Sequence, residues 1–443
     1  MKKLLMKLFI ISLPFYGFSF FLLVGYPIGR PDWLIGSLLV AFSILLLVNR
    51  AKLVVDASLL WFIGLILWSL VGLFKVDNVG FFVTLFLQLL FALIIFVMVL
   101  QVRSLEELDG MVKVWLTTSS VVALYGIYQT LARNLGWPLS YLPLTNPTIS
   151  AGGMRGGTFG QYIRPSSVFR EPAFLASYLL PVAIFLIVLY AEKKIRRKGT
   201  IQLLVISIGL VLAFSLVGYI AVTLTFTLYM LLEHGLGKHG RLAALFLGVG
   251  LIVVFIQPAF LTGFERLGDL WRATELGFES IAYRSTGVRL LRMFTAFSIW
   301  VRNPIVGIGL GQIPHVNVSE VLQLPFSYSY SLNRVHSIAL QFLAEAGVVG
   351  FVAYLGIFFT ILRKLFKEKR ESPIVKAFFY ALLSSFIMSF YRSGIVDLNY
   401  WVLAAMSAAY VNSLRHTRKL SDYTGATSRQ KHQFGRQWFS TSA

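Results

Sequence analysis

The 443-residue chain contains no cysteine. It can therefore form no disulfide, has no thiolate nucleophile and cannot bind zinc through cysteine. Charged residues are also scarce, at 13% of the sequence, whereas hydrophobic residues make up 57%. A soluble globular protein carries about 25% charged residues. The two shortages together exclude a soluble domain and a small disulfide-stabilised scaffold.

Several short catalytic motifs are missing as well. The sequence has no Asp-x-Asp pair, no His-Glu-x-x-His, no Gly-x-Ser-x-Gly and no P-loop. Gly307, Gly309 and Gly311 form a Gly-x-Gly-x-Gly run, but no predicted strand precedes it, so it is not a dinucleotide fingerprint. Metal-dependent use of a nucleotide sugar is therefore not expected, and neither a metal nor a cofactor is predicted.

Apolar runs near 20 residues long recur throughout, and each can cross about 30 Å of hydrocarbon as a helix. They predict an all-α polytopic membrane protein with about 12 transmembrane helices. The first run has no small-residue cleavage site after it, so it is predicted to be an uncleaved helix rather than a signal peptide. The predicted spans lie at about 4–24, 33–49, 56–74, 79–101, 111–132, 168–190, 200–214, 217–233, 241–258, 336–361, 374–391 and 399–414.

These spans divide the chain into four parts. Residues 1–258 hold helices 1–9, residues 259–335 form one long outer loop, residues 336–414 hold helices 10–12, and residues 415–443 form a basic tail predicted to be disordered. With Lys2 inside, fifteen of the sixteen lysines fall on the cytoplasmic side. The positive-inside rule thus predicts that both termini are cytoplasmic and that the long loop is periplasmic or extracellular. The net charge of +21 is dispersed between spans, which indicates anionic lipid headgroups rather than nucleic acid.

The arginines do not follow the lysines. Thirteen of the 24 fall on the outer side, seven of them in the long loop, which contains no lysine. A guanidinium group presents a planar fork that matches phosphate and carboxylate oxygens. Individual arginines could instead pair with nearby acidic residues or snorkel from interfacial helices. As a set, they predict an anion-gripping surface on the outer side.

Within the long loop, residues 285–300 have the periodicity of an amphipathic helix. Arg289 and Arg292 are three residues apart on one face. The other face is apolar and consists of Leu290, Leu291, Phe294 and Phe297. We expect this helix to lie along the membrane surface.

Three titratable side chains stand out among the spans. Glu171 precedes Pro172 at the start of the sixth span, either as a helix cap or as a functional carboxylate. His336 opens the tenth span, either as a cap or as a base. Glu345 is the one carboxylate predicted well inside a span, where such groups are paired or functional. Nine residues separate it from His336, so the two are expected on opposite helical faces.

Two stretches of the chain resemble a known family. The first is RPSSVFREPAFLASY at residues 164–178, and the second is WVRNPIVGIG at 300–309 followed by HSIALQFLAEAGVVG at 336–350. In order and spacing, residues 160–360 resemble the O-antigen ligase and polymerase superfamily. The resemblance implies a GT-C-like helical fold and a metal-independent, inverting glycosyltransferase. Its donor would be a glycan on undecaprenyl pyrophosphate, used at the outer face of the bacterial inner membrane.

The resemblance also suggests roles for individual residues. By motif, the arginine and the histidine that matter in the ligases fall on Arg289 and His336, and Glu171 joins them as a candidate catalytic residue. The candidates for binding the pyrophosphate or the glycan are Arg164, Arg170, Arg284, Arg292, Arg334 and Glu345.

The choice between polymerase and ligase depends on one short turn. Ligases tend to carry an arginine in the outer turn between spans seven and eight, but residues 214–219 contain none, which favours a polysaccharide polymerase. An O-antigen ligase that transfers the glycan to lipid A–core is the alternative. Two interpretations come from other functional classes of protein: a transporter or flippase, and a structural membrane subunit. Membrane lipids and a chain-length regulator are candidate partners.

Overall fold

The computed structural model describes most of the predicted helices and part of the long loop. The described residues are 2–15, 21–23, 26–28, 34–41, 54–140, 158–159, 162–169, 171–213, 215–234, 285–322, 335–392, 394 and 397–423.

These residues are mainly helical. In chain order the helices are α1 (Lys2–Ser12), α2 (34–41), α3 (Ala57–Val71), α4 (Val79–Leu100), α5 (Leu105–Leu135), α6 (Pro172–Ala191), α7 (Arg197–Leu212), α8 (Leu216–His234), α9 (Ser285–Arg302), α10 (Val318–Leu322), α11 (Ile338–Glu368), α12 (Pro373–Ser389) and α13 (Leu398–Tyr423). Two small antiparallel hairpins accompany them, β1 (Phe21–Leu23) with β2 (Tyr26–Ile28), and β3 (Thr158–Phe159) with β4 (Tyr162–Ile163).

The helices confirm a helical membrane protein. Five of those described are long and apolar enough to cross a bilayer: Ala57–Lys75, which is α3 with the 3-10 turn that follows it, and α4, α5, α6 and α11. The shorter apolar helices are Gly218–Glu233, within α8, and α12. The ninth predicted span, 241–258, lies outside the described residues, so the number twelve stays a prediction.

Two sequence-based boundaries are wrong. The first span was expected at 4–24, but α1 ends at Ser12, and Phe21–Leu23 pairs as a strand with Tyr26–Ile28. Pro14 explains the stop, because proline cannot donate a helical hydrogen bond and disfavours the helical conformation of the residue before it. The tail from residue 415 was expected to be disordered, but α13 continues to Tyr423. Arg415 and Arg418 hold it there by contacts with Glu368 at the end of α11.

The core lies between α6, α11, α12 and α13. Large aromatic side chains fill it, and Trp401 and Tyr354 are completely buried. The Tyr354 hydroxyl contacts those of Ser389 at 2.7 Å and Tyr400 at 2.6 Å, so these three buried hydroxyls have partners. Such interlocked packing determines which helices are neighbours, as apolar run length alone does not.

Ion pairs hold the helices together at one end of the bundle, which we call the lysine end. Lys369 and Lys376 both bind Glu233 of α8, and Lys376 also binds Glu192 at the end of α6. Lys3 of α1 binds Glu107 of α5. These lysines gather at one end in space, as they do in the predicted topology, and their carboxylate partners lie there too.

Asp56 is the most heavily used carboxylate of the lysine end. It caps α3 by accepting from the Ser58 amide, and it binds Lys364 at 2.5 Å and Asn412 at 2.7 Å. Burial alone would raise the pKa of Asp56, but the hydrogen bonds from Lys364, Asn412 and Ser58 hold that pKa below its ordinary value. One carboxylate thus joins α3, α11 and α13 and is charged at neutral pH.

We predict that Asp56→Ala lowers stability by about 3 kcal/mol, because it strands a buried ammonium group and removes a helix cap. Differential scanning fluorimetry in detergent measures the change. Because the folded-state pKa is depressed, the contribution is complete at neutral pH and is lost as the pH falls below about 4. The difference between wild type and variant should therefore shrink in acid. Lys3→Ala, in an exposed pair, is the control and should change little; equal losses in both variants would contradict the assignment.

Candidate active site

Helix α9 of the long loop packs against the first turns of α11. Leu291, Ala296 and Ile299 of α9 are buried in a small apolar cluster with Val335 and Ala344. The predicted helix over 285–300 is therefore confirmed, and its position is set by a second core separate from the main one. This places the polar side chains of α9 beside the residue that opens α11.

Arg292 and His336 meet at this junction. The Arg292 Nη1 atom lies 3.4 Å from His336 Nε2, and both side chains are half-buried. A guanidinium group can only donate, so Nε2 is the acceptor in this contact. The distance is long for a hydrogen bond, and the pair is loosely held. A cation and a potential base thus share one site, although 44 residues separate them.

The outer face of α9 is apolar rather than charged. Phe294, Phe297 and Val301 are three and four residues apart and exposed, whereas Leu291 is buried on the other side. The predicted division into an arginine face and a single apolar face is therefore wrong for Leu291 and Arg292, which both face α11. Helix α9 therefore has two apolar sides. The inner side packs on α11, and the outer side is exposed.

Helix α11 is broken at Gly347, and the segment 303–313, here called the glycine loop, repairs the break. Gly347 has φ 66° and ψ −170°, so the helical hydrogen bonds around it are lost. Ile308 N donates to Ala344 O at 3.0 Å, and Gly309 N donates to Glu345 O at 2.9 Å. Val348 N donates to Pro304 O at 2.8 Å. Backbone groups freed by the break thus find partners in the loop, as buried amides and carbonyls require.

Glycine is needed where the two backbones touch. A Cβ on Gly347 would lie 2.0 Å from Ile305 O, and one on Gly307 would lie 2.5 Å from the backbone carbon of Glu345. The conformation of Gly347 is essentially restricted to glycine. The Gly-x-Gly-x-Gly run is therefore explained by close backbone approach.

Glu345 lies beneath the glycine loop. Its carboxylate accepts from Gln341 Nε2 at 3.2 Å and faces the backbone amides of Gly311 and Ile313. It is 1% exposed, so in this arrangement it contacts the loop rather than open solvent. Glu345 lies within Ile338–Glu368, one of the helices long and apolar enough to cross a bilayer, as predicted, and its depth in the membrane stays a prediction.

Gln312 fastens the other side of the glycine loop to that turn. Its Oε1 accepts from the amides of Asp77 and Asn78, and its Nε2 donates to Asn78 O. Lys75 also reaches Asn303 at 3.4 Å. The loop is thereby held between α11 and the α3–α4 turn.

The other candidate residues lie near the start of α6. Glu171 is the N-cap of α6 and is half-buried, but it makes no side-chain cap bond. Arg164 is half-buried, and its carbonyl accepts from Arg133 at 3.2 Å. Between them, Ser166 and Ser167 donate their amides to the buried Gln129 of α5. Because α6 runs from Glu171 to the lysine end, Glu171 and Arg164 lie at the opposite end, here called the arginine end.

Several predicted residues cannot be placed. Arg170, Arg284 and Arg334 lie outside the described residues. The backbone of Arg289 is in α9, one turn before Arg292, and its side chain is outside the described part. Their assignment to the site stays a prediction.

Three polar residues of the arginine end were missed from the sequence. Gln129 and Gln312 bind backbone groups of other segments. Gln129 could have been found from the sequence, because a glutamine within an apolar helix is unusual. Arg392 is buried, binds Asp397 and lies 5.8 Å from the ring of Phe174 in α6. No local signal distinguished it from the other outer arginines.

Comparison with known families agrees with this geometry. Residues 201–355 match the family Wzy_C, described as O-antigen ligase. This match supports the resemblance of the chain to the O-antigen ligase/polymerase superfamily. The match covers about a third of the chain and includes Arg292, His336 and the glycine loop, but not Glu171 or Arg164. No protein of curated function matches the chain.

The members of the matched family share a general activity. Proteins of the O-antigen ligase/polymerase superfamily are glycosyltransferase-like enzymes that act on lipid-linked glycans. With its apolar helices, the chain is a multi-pass protein of the bacterial inner membrane. The Arg292–His336 pair therefore belongs to the family's matched region and lies where α9 meets α11.

We predict that Gly347→Ala detaches the glycine loop from α11. The Cβ of an alanine would clash with Ile305 O. The backbone conformation at this position would also strain an alanine by about 1–3 kcal/mol. In this cysteine-free chain, the buried Leu310 can be replaced by cysteine as a reporter. Its thiol should be protected in Leu310→Cys alone and react with maleimide when Gly347→Ala is added.

Gly64→Ala is the matched control for this experiment, because a Cβ at Gly64 would meet no atom within 4 Å. It should leave the reporter thiol protected. Continued protection in the Gly347→Ala background would show that the loop does not depend on the break.

Proposed function

We propose that this protein is a polysaccharide polymerase. It joins oligosaccharide repeat units carried on undecaprenyl pyrophosphate, at the outer face of the inner membrane. The observation that carries the proposal is the Arg292–His336 contact, which joins an anion-binding group to a potential base inside the family's matched region. The arginine-free turn at residues 214–219 favours polymerase over ligase.

The proposed reaction needs two chemical functions. A hydroxyl oxygen of one repeat unit attacks the anomeric carbon of the other, with inversion, while the bond from that carbon to the pyrophosphate oxygen breaks. The hydroxyl proton passes to a base, and the electron pair of the broken bond leaves with undecaprenyl pyrophosphate. Arginines stabilise the charge that develops on this leaving group.

Arg292 and His336 suit these roles as a pair. A bound pyrophosphate would attract the guanidinium of Arg292 and so release Nε2 of His336. The freed Nε2 could then accept the hydroxyl proton. Arg289, one turn earlier on α9, is proposed to bind the same anion. Arg164, Arg170, Arg284 and Arg334 are proposed to extend the binding surface along the glycan.

Glu171 is the second candidate base. It stands at the start of α6, at the arginine end, where its carboxylate is half-buried. We assign the base to His336 because imidazole titrates near neutral pH, and we assign Glu171 to orienting or binding the acceptor sugar. Glu345, held beneath the glycine loop, is proposed to support that loop.

An O-antigen ligase is the second candidate function. The matched family carries the description O-antigen ligase. A ligase would break the same bond of the donor as a polymerase does. The two functions differ in the acceptor, which is another lipid-linked repeat unit for a polymerase and lipid A–core for a ligase.

The first functional test uses purified protein in detergent with undecaprenyl-pyrophosphate-linked oligosaccharide as the only glycan. We predict a ladder of longer glycans that persists in EDTA. Arg292→Lys should weaken the ladder strongly, because lysine keeps the charge but loses the bidentate fork. Arg302→Lys, at the exposed end of the same helix, should not. If product forms only after lipid A–core is added, the protein is a ligase. If the protein moves the lipid-linked glycan across a vesicle membrane without forming a bond, it is a flippase.

The pH dependence of the rate tests the base. We predict that His336→Ala lowers the rate by about 100-fold or more, as loss of a general base does. The limb of the pH–rate profile near neutrality should disappear in His336→Ala and persist in Glu171→Gln. His315→Ala removes an exposed histidine of the long loop and serves as the control. Persistence of the limb in His336→Ala with its loss in Glu171→Gln would transfer the role to Glu171.

A further inference from the structure

The segment that leads into α6 is buried although it is neither helix nor strand. Residues 165–169 are all buried, and they connect Arg164 to the start of α6 at Glu171, both of which are half-buried. Irregular backbone within a membrane protein is tolerated only where protein or a water-filled cavity satisfies its polar groups. The partners of this segment therefore determine where Arg164 and Glu171 stand.

One face of α5 supplies those partners. Gln129 is 1% exposed, and its Oε1 accepts from the amides of both Ser166 and Ser167 at 2.9 Å. One turn further along α5, Arg133 Nη1 donates to Arg164 O at 3.2 Å. Positions four apart lie on the same face of a helix, so the segment is bound at two successive turns.

The backbone of Ser167 is strained, and α5 holds it in that state. Its φ is 53°, in the left-handed region that residues other than glycine rarely adopt. Its amide is bound by Gln129, and its hydroxyl donates to Val122 O, on the same side of α5, at 2.7 Å. Such strain persists only where the surroundings enforce it, and it is concentrated at sites that bind ligands. The conformation of this turn is therefore imposed by α5.

We propose that Gln129 is a positioning residue for the acceptor sugar. Through the two serine amides it fixes a segment that carries Arg164 at one end and Glu171 at the other. The proposal rests on the polymerase function, in which these two side chains contact the glycan. Glutamine suits the role because one neutral oxygen accepts both amides without burying a charge.

Gln101 provides a matched comparison at the lysine end. It is the C-cap of α4, its Oε1 accepts from the Val54 amide at 2.7 Å, and its Nε2 donates to Val54 O at 3.2 Å. It makes the same kind of contact as Gln129, but at the opposite end of the bundle from Glu171. The same substitution at both positions therefore separates lost stability from lost positioning.

The assay must separate acceptor from donor. The acceptor is a synthetic alkyl glycoside of the repeat unit, which has no pyrophosphate and cannot donate. The donor is the lipid-linked repeat unit with its acceptor hydroxyl methylated, so that only the glycoside can accept. Each substrate is titrated while the other is saturating.

We predict that Gln129→Met raises KM for the glycoside about tenfold and leaves kcat and the donor KM little changed, because the two buried amides lose their acceptor and the segment shifts. Gln129→Glu keeps an oxygen for both amides and should restore KM to near the wild-type value. Gln101→Met should leave both KM values unchanged. An unchanged acceptor KM in Gln129→Met, or an equal rise in Gln101→Met, would overturn the role of Gln129.

A thiol reporter measures the movement of the segment directly. Val168 is buried, so Val168→Cys should be protected from maleimide with Gln129 present and should react when Gln129→Met is added. Continued protection would contradict the proposal. If Gln129→Met does not fold, Ser167→Ala carries the same test, because it loosens the turn by removing the bond to Val122 and should raise the acceptor KM in the same direction.

The role of Gln129 and the polymerase function fail in different ways. Wild-type protein that builds the ladder, with the same acceptor KM as Gln129→Met, keeps the polymerase function and loses the role of Gln129. Wild-type protein that builds no ladder from lipid-linked glycan alone loses both.

Discussion

The arrangement of the arginine end depends on the break in α11 at Gly347. Breaking a helix frees carbonyls and amides that cannot stay unpaired when buried. The glycine loop supplies their partners, with Ile308 and Gly309 donating and Pro304 accepting. The same loop is fastened to the α3–α4 turn by Gln312. The short helical leg that begins just after His336 is thus fixed between the loop and α9, and from that position His336 reaches Arg292.

The two ends of the bundle use charge differently. At the lysine end, Asp56 and Glu233 bind lysines from neighbouring helices, and these pairs join elements that are distant in sequence. Breaking such a buried pair is costly, so it sets which helix ends meet. At the arginine end, Arg292 lies beside His336. A cation beside a potential base suits a site that receives an anion, whereas a paired ammonium suits a structural contact.

Function also depends on how protein and lipid share the surface of α9 and α11. The inner side of α9 carries Arg292, and its outer side exposes Phe294, Phe297 and Val301. Below the break, α11 and α3 border an apolar groove lined by Trp61 and Trp68. The exposed outer side of α9 and this groove are apolar, whereas the inner side of α9 brings a cation to His336.

The helical membrane class, most helix positions, the separation of lysine from arginine and the α9 helix ahead of His336 could all be predicted from the sequence. These features follow from run length, caps and charge, which act between neighbours in the chain. Three features became visible in the folded chain alone: α9 turns Leu291 and Arg292 inward, Glu345 lies under a loop, and Gln129 and Gln312 bind distant backbone groups. Each depends on a partner far away in sequence: Gln312 binds Asn78 across 234 residues. The rotation of a helix and the burial of a side chain are set by such partners, because local periodicity specifies an apolar face but not what covers it.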